Sequence, residues 1–543
     1  MKSFACISML LAVSAAWAQA PNSPKPATLM DGLSGLHHPV STENSEAQQF
    51  FDQGLRLVYA FNHDEAARSF RRAAELDPQL AMAWWGVALA VGPNYNLPVD
   101  PEHEKMAVGA IAKAEALSAG GTQIEKDYIA AMAKRFSSDP HADYHRLDAN
   151  YSAAMRDLKQ KYPDDLDAAT LFADSMMNLR PWKLYRGDGT PEEGTEEIVA
   201  TLEGVLRRDP NHIGAMHLYI HAVEASLHPE RALPYADRIA KLAPAAGHLV
   251  HMPAHIYERT GQFNEARVQN ADAAKADEAY AALTGVQGMY MLMYYSHNLH
   301  FGAVSASMQG HCAEAQSTGD RLAANIGPAV KDMPMLESFI AIPLAMKVRC
   351  GRWDDLLAMK EPASLTPVLK AFWLYSRGSA LAARGKIIEA EALQRQLAGI
   401  EKAVNRDEIF MPPVENHSWQ IFHIQNDLLA ARIAAARDDK PAAIALLRDA
   451  VASQDLLLYN EPSDWYYPIR ESLGAMLLGS GDLKAAEQVY REDLAQNPRN
   501  PRSLYGLATA LTRQKRDYEA SWVKEQFETA WRDADVDPTT GEP

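Results

Sequence analysis

Eight of the 18 histidines in this 543-residue chain fall between residues 217 and 300, and seven of them have spacings that suit helices. The seven are His217, His221, His248, His251, His255, His297 and His300. Two pairs, His217/His221 and His251/His255, are four residues apart, so that both imidazoles lie on one face of a helix and can bind one ion. The remaining pairs are three residues apart, a less favourable spacing. The pattern predicts metal binding by imidazole nitrogens.

A repeat of about 34 residues positions these histidines. The segment GLRLVYAFNHDEAARSFRRAAELDP has Gly54, Ala66, Phe70, Ala73 and Pro78 at the offsets of a tetratricopeptide repeat (TPR). The small residues let two antiparallel helices approach closely, and the proline ends the second helix. The pattern returns at intervals of the same length along the chain and again near its end, which predicts a series of helix pairs.

The repeat register places all seven histidines on the first helix of three consecutive repeats. They occupy repeat positions 2, 5 and 9, which lie on one helix face. In tetratricopeptide repeats this face lines the concave groove. The same positions in other repeats hold other residues: Gln48, Phe51, Leu55, Met82, Trp85, Leu89, Pro468, Glu471 and Ala475. Repetition alone therefore does not explain the histidines, and the remaining alternative is a row of individually hydrogen-bonded side chains without a ligand.

Seven imidazoles exceed one tetrahedral shell, so we expect either two ions or a division between ligands and supporting residues. We expect His217, His251, His255 and His300 to bind directly. Glu224 and Glu258 follow the histidines on the same helices and are the candidate catalytic residues, as carboxylate ligands, partners of the ligands or a general base. Imidazole ligation without thiolate suits a divalent transition metal such as Cu, Zn or Fe. No HExxH, GxSxG, P-loop or dinucleotide motif occurs.

The net charge and the N-terminal residues indicate the class of partner and the compartment of the protein. The net charge of −17 argues against a nucleic-acid partner. Lys2 precedes an apolar stretch from Phe4 to Ala15, and small residues follow it, which predicts a signal peptide in residues 1–20 with cleavage after Ala18. No later segment is apolar enough to span a membrane. We therefore expect a periplasmic or secreted protein without a transmembrane segment in its mature chain.

After cleavage, two cysteines remain. Cys312 and Cys350 both fall at the turn between the two helices of their repeats. Neighbouring repeats place such turns side by side, which allows a disulfide, and two separate buried thiols are the alternative.

Composition divides the mature chain into five segments. We predict an extended lead-in over 21–45, repeats over 46–140, central repeats with a histidine-lined groove over 141–325, further repeats over 326–530 and a disordered tail over 531–543. Insertions with aromatic and charged side chains are expected to fold over the groove as lids. These insertions carry Arg180, Trp182, Tyr185, Arg186, Asn416, His417, Trp419, His423, Asp464, Trp465, Tyr466, Arg470 and Glu471.

The chain resembles a family of exported bacterial TPR proteins of largely uncharacterised function. The resemblance rests on stretches such as EAQQFFDQGLRLVYAFNHDEAARSF, AWWGVALAVGPNYN, HLYIHAVEAS and GHLVHMPAHIYERTGQF. Together with the repeats, it implies an all-α, TPR-like solenoid: a right-handed superhelix of helix pairs with insertions over its concave face. Two functions follow. One is a metal site in the groove, which would act on a small molecule if it is catalytic. The other is a non-catalytic scaffold for a peptide or an envelope protein.

Overall fold

The structure is a computed structural model that describes residues 26–139, 141–286, 288–362 and 366–541. Over these residues the chain forms α-helices joined by turns and a few short 3-10 and π segments, and no β-strand occurs among them. The fold is all-α and TPR-like, as the sequence predicts. The predicted signal peptide lies outside the described residues.

The helices follow one another along the chain in antiparallel pairs. The first thirteen are α1 (Ser45–Tyr59), α2 (His63–Leu76), α3 (Ala81–Val91), α4 (Pro101–Leu117), α5 (Gln123–Met132), α6 (Tyr144–Lys161), α7 (Leu166–Met177), α8 (Thr195–Arg208), α9 (Ile213–Glu224), α10 (Leu233–Leu242), α11 (Gly247–His251), α12 (Pro253–Arg259) and α13 (Phe263–Thr284). The others are α14 (Ser296–Met308), α15 (Cys312–Ile326), α16 (Glu337–Ile340), α17 (Ile342–Arg349), α18 (Trp353–Ala358), α19 (Pro367–Ala383), α20 (Ile387–Ala403), α21 (Ser418–Ala436), α22 (Lys440–Asp455), α23 (Arg470–Ser480), α24 (Leu483–Gln496), α25 (Pro501–Arg513) and α26 (Asp517–Ala530).

These helices form two compact units. The first contains the described residues up to Ile256 and the segment Asp272–Tyr295; the second contains Tyr257–Ala271 and the described residues from Ser296 onward. Five of the seven histidines therefore belong to the first unit, whereas His297 and His300 belong to the second.

The repeat signature of the first unit has a direct packing cause. Phe70 of α2 is fully buried, and its ring lies between α1 and α3. A Cβ at Gly54 or at Gly86 would come within 2.6 or 2.3 Å of that ring. Asn44 and Asn62 cap the N-termini of α1 and α2 with their side-chain oxygens. The alternation of glycine and aromatic residue thus allows the close helix approach that the sequence pattern predicted.

The second unit repeats this arrangement near its end. Tyr490 of α24 takes the place of Phe70, and a Cβ at Gly474 or Gly506 would come within 2.5 or 2.0 Å of its ring. The same unit contains a disulfide between Cys312 and Cys350, which settles the alternative that the sequence left open.

Two segments outside the helices are also ordered. Residues 26–44 contain no regular secondary structure and lie along the first unit, where Nδ1 of His38 is 2.7 Å from Oδ2 of Asp167. The tail, which we expected to be disordered over 531–543, is described as far as residue 541. Two main-chain carbonyls of the tail accept hydrogen bonds. The Val536 carbonyl accepts from the ring N–H of Trp531, and the Pro538 carbonyl accepts from Arg502.

Candidate metal centre

Helices α9 and α11 and the start of α12 carry the five histidines of the first unit. Helix α9 is buried along its whole length, because apolar residues and histidines alternate around it with no charged side chain before Glu224. Its first turn begins at His212, whose Nδ1 accepts from the Ala215 N–H at 3.2 Å. Helix α11 ends after His251, and α12 restarts at Pro253, a residue suited to the first turn of a helix. All five imidazoles are at most 3% exposed.

Glycines bring these helices close to their neighbours. A Cβ at Gly214 would lie 2.5 Å from the Tyr59 ring, so only glycine lets the end of α1 rest on α9. A Cβ at Gly247, the first residue of α11, would lie 1.9 Å from Oδ1 of Asp277. The contact at Gly214 places the Tyr59 carbonyl beside His217, where it accepts a hydrogen bond from Nδ1 at 2.6 Å.

The imidazole nitrogens meet in pairs. Nε2 of His217 lies 3.1 Å from Nε2 of His248, and Nε2 of His251 lies 2.7 Å from Nε2 of His255. Two nitrogens bound to one tetrahedral ion, with bonds of about 2.0–2.1 Å, are about 3.3 Å apart. The first pair is close to that separation. The second pair, at 2.7 Å, is at the distance of a single N–H···N hydrogen bond and would have to open by about 0.6 Å around a shared ion.

The pairs belong to one contiguous cluster. The ring of His221 lies 4.9 Å from that of His217 and 5.3 Å from that of His255, measured between centroids. His248 and His251 are 5.8 Å apart. Ligand atoms of His217, His221 and His248 lie within 4.8 Å of one another, and the same holds for His221, Glu224 and His255. The imidazoles of this unit, which come from two successive repeats, therefore face one another.

Glu224 fixes the orientation of two of the rings. Its Oε1 lies 3.0 Å from Nδ1 of His221, and its Oε2 lies 2.7 Å from Nδ1 of His255. A carboxylate oxygen accepts, so each Nδ1 carries the proton and each neutral ring presents an Nε2 lone pair on its opposite side. The Tyr59 carbonyl imposes the same tautomer on His217. Three Nε2 lone pairs are therefore set by their neighbours, and Nε2 of His221 makes no hydrogen bond within the described part of the chain.

Burial governs the protonation of this cluster. Burial and the neighbouring His221 hold the pKa of His217 well below its usual range. Burial likewise lowers the pKa of His255, against the opposing influence of Glu224. Burial alone would raise the pKa of Glu224, but its contacts with His221 and His255 hold that pKa well below the usual range. These shifts favour an ionised Glu224 beside neutral rings of His217 and His255, and neutral imidazole is the form in which histidine binds metals.

Aromatic side chains cover the cluster. The Phe61 ring lies 4.3 Å from His217 and 5.5 Å from His248. Tyr294 contacts His248 edge-on at 4.8 Å between centroids. Trp182, on the insertion that we predicted to be a lid, lies 5.9 Å from His221. The insertion therefore does fold over the histidines.

A hydrogen-bonded clamp joins the covering residues. The Trp182 indole N–H donates to Oδ1 of Asn96 at 3.2 Å, and the Asn96 amide donates to the Tyr294 hydroxyl at 3.1 Å. Tyr95 stacks on Trp182 with 5.3 Å between centroids. The two helix-breaking insertions, at residues 92–100 and in the 180s, thus close over the same histidines.

The other predicted lid residues have structural partners. The Tyr185 hydroxyl donates to the Ala222 carbonyl at 2.9 Å, and Arg180 and Arg186 pair with Glu192. In the second unit, Asn416 donates to Asp464 at 2.7 Å. The remaining insertion residues of that unit pack or pair within it: His417, Trp419, His423, Trp465, Tyr466, Arg470 and Glu471.

Three predicted site residues lie in the second unit. His300 is buried, with its ring edge-on to Phe339 at 5.5 Å, and burial lowers its pKa to about 3. His297 is half-buried, and its ring is 5.3 Å from that of Phe301. Glu258 accepts a hydrogen bond from the Ser305 hydroxyl, and burial raises its pKa to about 8. A catalytic role for Glu258 and metal binding by these two histidines remain predictions.

Several residues of the site carry no signal in a single sequence. Tyr59 contributes a main-chain carbonyl, which no residue type reveals. Phe61, Tyr95 and Tyr294 contribute aromatic rings, and the sequence does not distinguish them from aromatic residues of the core. Asp167 is a further example: it receives the Tyr59 hydroxyl at 2.7 Å and so supports the residue that orients His217. Only the two insertions, with their helix-breaking residues, pointed to this cover.

No protein-family model and no curated protein matches the chain. Solved structures similar to it include a human IFIT1 dimer with m7Gppp-AAAA, at 12% identity over 91% of each chain and a TM-score of 0.35. The TPR domain of P58(IPK) matches at 12% identity over 87% of this chain and 99% of that one, with a TM-score of 0.22. The APC/C heterotetramer Cut9–Hcn1 matches at 12% identity over 90% of this chain and 74% of that one, with a TM-score of 0.30. The fold class rests on the helix pairs of this chain itself. Among the described residues, no helix has the length and apolarity that a membrane crossing requires.

Proposed function

We propose that the first unit binds a divalent transition metal ion through its histidine cluster. The observation that carries this proposal is the buried Nε2 of His221, which makes no hydrogen bond among the described residues although its ring is oriented by Glu224. Nitrogens of His217 and His248 lie beside it, and the ligand atoms of the three residues are within 4.8 Å of one another. A buried imidazole nitrogen without a hydrogen bond is costly, by about 1–3 kcal/mol, and a metal bond removes that cost. The donor set, all nitrogen with one carboxylate, suits Zn, Cu or Fe.

The residues divide into ligands and supports. His217, His221 and His248 present three nitrogens around one position. Glu224 acts through the rings that it orients, which is the role of the outer carboxylate in carboxylate–histidine–metal arrangements. His251 and His255 meet at a neighbouring position, so the cluster offers room for a second ion or an internal hydrogen bond. Such an ion would act as a Lewis acid if the site is catalytic, with the ionised Glu224 orienting the rings beside it.

Export from the cytoplasm belongs to the same proposal. The basic and apolar residues of the predicted signal peptide support it, and so does the disulfide between Cys312 and Cys350, since disulfides persist mainly in oxidising compartments. We propose a periplasmic or secreted protein of bacterial type. Mass spectrometry of the mature protein should find Gln19 at its N-terminus, and a chain that retains Met1 would argue against export.

Elemental analysis of untagged protein tests the metal proposal. We expect at least one transition metal ion per chain after dialysis. His217→Gln combined with His221→Gln should abolish that content, whereas His228→Gln, at an exposed histidine outside the cluster, should retain it. Helical circular dichroism of each variant reports whether the fold survives. A metal-free wild-type protein that still folds would instead favour the non-catalytic scaffold.

A further inference from the structure

Residues 26–44, the N-terminal segment, form no helix, yet side chains of the first unit hold their main chain. Gln53 of α1 accepts from the Met30 N–H at 2.7 Å and donates to the Thr28 carbonyl at 2.9 Å. Leu33 is the one apolar side chain of the segment that is buried. Because so little apolar surface holds it, the segment can detach at a much smaller cost than unfolding of the helices requires.

His38 joins this segment to α7. Its Nδ1 lies 2.7 Å from Oδ2 of Asp167, and the two side chains are only 12% and 10% exposed. The His38 ring also lies edge-on to Tyr128 of α5, at 5.7 Å between centroids. The neighbouring His37 makes a similar contact with Asp52, but its side chain is 55% exposed. The contact of His38 is therefore shielded from water, whereas that of His37 is not.

Asp167 also connects the segment to the histidine cluster. Its Oδ1 accepts from the Tyr59 hydroxyl at 2.7 Å and lies 3.2 Å from Nε2 of His212. Nδ1 of His212 accepts from the Ala215 N–H, so the proton of the neutral ring is on Nε2 and faces the carboxylate. Tyr59, in turn, accepts from Nδ1 of His217 through its main-chain carbonyl. One carboxylate is thus linked both to the N-terminal segment and to the residue that orients His217.

The surroundings of His38 favour its charged form. Burial lowers the pKa of His38, but the hydrogen bond to Asp167 and the negative charges of Asp167, Asp165 and Asp52 outweigh burial, so that the pKa is raised. Burial alone would raise the pKa of Asp167, but its contacts with His212 and His38 hold that pKa well below the usual range. The titratable groups around the pair are Asp52 and Tyr59 of α1, Tyr128 of α5, Asp165 before α7, His212 before α9 and His37 of the segment itself.

We propose that His38 and Asp167 form a proton-sensitive latch, which holds the N-terminal segment on the first unit and keeps water away from the contact that positions Tyr59 beside His217. The latch itself is independent of any metal, and its effect on His217 rests on the proposed metal site. When His38 loses its proton, the neutral ring still donates to Asp167, so the latch weakens without breaking.

The direction of the pH dependence follows from the raised pKa of His38. The stabilisation is complete at a pH below the ordinary histidine value of about 6.5, and it is lost as the pH rises through the raised pKa of the folded chain. The segment should therefore detach more often at alkaline pH. Water then reaches Asp167 and competes for the Tyr59 hydroxyl.

Hydrogen–deuterium exchange of the metal-free full chain tests the latch. His38→Gln keeps a hydrogen-bond donor but cannot become charged. We expect the peptide that covers residues 28–42 to exchange severalfold faster in this variant than in wild type at pH 6, and at nearly the same rate at pH 8.5. A comparison at one pH cancels the intrinsic pH dependence of exchange. His37→Gln, at the exposed histidine of the same segment, is the matched control and should behave like wild type at both pH values.

A second variant serves if His38→Gln loses its helical circular dichroism. Asp165→Asn keeps the side-chain oxygen that caps α7 but removes a negative charge beside His38. Its segment should exchange faster than that of wild type near pH 7. A purely structural role of His38 would make the variant exchange faster by the same factor at every pH. Such a constant factor, or equal exchange at pH 6, would overturn the proposal.

Zinc affinity, measured by competition with a chelator, tests the effect on His217. We expect His38→Gln to bind zinc severalfold more weakly than wild type at pH 6 and equally at pH 8.5, with His37→Gln equal to wild type at both. An equal affinity at pH 6 would overturn the link through Tyr59. A wild-type chain that binds no zinc or other transition metal would refute the metal site, and the exchange measurement would still decide the latch.

Discussion

Nε2 of His217 lies 3.1 Å from Nε2 of His248, although the two residues are 31 positions apart in the sequence and belong to different helices. His217 donates through Nδ1 to the Tyr59 carbonyl, so its Nε2 presents a lone pair to His248. The contact is therefore either one N–H···N hydrogen bond or two ligands of a shared ion. The rest of the cluster favours the ion, because His221 presents a further Nε2 that no hydrogen bond occupies in the described chain.

Glu224→Gln tests the orientation of the ligands. A glutamine can accept from only one of the two Nδ1–H groups through its single carbonyl oxygen, so His221 or His255 loses its fixed tautomer. We expect metal affinity to fall by about 10–100-fold with little change in helical content. Competition titration with a chelator measures this affinity. Glu230→Gln, at an exposed glutamate, is the control, and equal affinity in both variants would remove Glu224 from the site.

Asn96→Ala tests the clamp over the cluster. Loss of the amide frees the Trp182 indole and the Tyr294 hydroxyl from each other, so the cover should open more often. We expect metal to leave to excess chelator severalfold faster, with a smaller change in equilibrium affinity. Stopped-flow chelation measures the rate, with Asn211→Ala, at an exposed asparagine, as the control. An unchanged rate would show that the cover does not gate the site.

Glu258 should make stability depend on pH. Burial raises its pKa to about 8 in the folded chain, whereas an unfolded glutamate titrates near its ordinary value of about 4.3. The unfolded chain therefore loses this proton first, and stability falls as the pH rises from about 4.3 to about 8. Glu258→Gln should flatten this part of the profile, by less than about 1.4 kcal/mol per pH unit because the residue is only partly buried.

Urea unfolding at several pH values between 5 and 8 gives the comparison for Glu258. The quantity of interest is the difference between variant and wild type, since other groups contribute equally to both. Glu265→Gln, at an exposed glutamate of the following helix, should leave the profile unchanged. Parallel profiles for wild type and Glu258→Gln would mean that the carboxyl is ionised in the folded chain.

The disulfide should stabilise the second unit. Cys312 and Cys350 close a loop with a sequence separation of 38, for which loop-closure entropy gives about 2–4 kcal/mol. Cys312→Ser combined with Cys350→Ser should lower the free energy of unfolding by that order, as should a thiol reductant acting on the wild-type chain. Thermal unfolding followed by circular dichroism measures the loss. The reductant should have no effect on the double variant, and an effect there would point to a different cause.

The fold followed from the sequence because its cause is local and repeated. Glycine and aromatic residue recur at fixed offsets, as with Gly54 and Phe70, and each pair marks one close helix contact. The histidine spacing was equally informative, since positions three and four apart share a helix face whatever the tertiary structure. These features depend only on helical geometry and on the register of the repeat.

The support of the site could not be predicted in the same way. Glu224 contacts both His221 and His255 because α9 and the start of α12 lie side by side at these residues. The Tyr59 carbonyl reaches His217 because Gly214, which has no side chain, leaves room for the Tyr59 ring. Such contacts depend on distances between helices that no local pattern encodes. The tail shows the same limit: its polar composition is typical of disorder, yet its peptide carbonyls meet buried arginines from distant repeats.

The most direct test of the metal proposal is X-ray diffraction from crystals of the untagged protein, recorded at the absorption edge of the metal that elemental analysis identifies. The account predicts an anomalous peak within about 2.0–2.1 Å of the Nε2 atoms of His217, His221 and His248. Nδ1 of His221 should remain hydrogen-bonded to Glu224. A cluster without a peak, in which His217 and His248 share a single hydrogen bond, would contradict it.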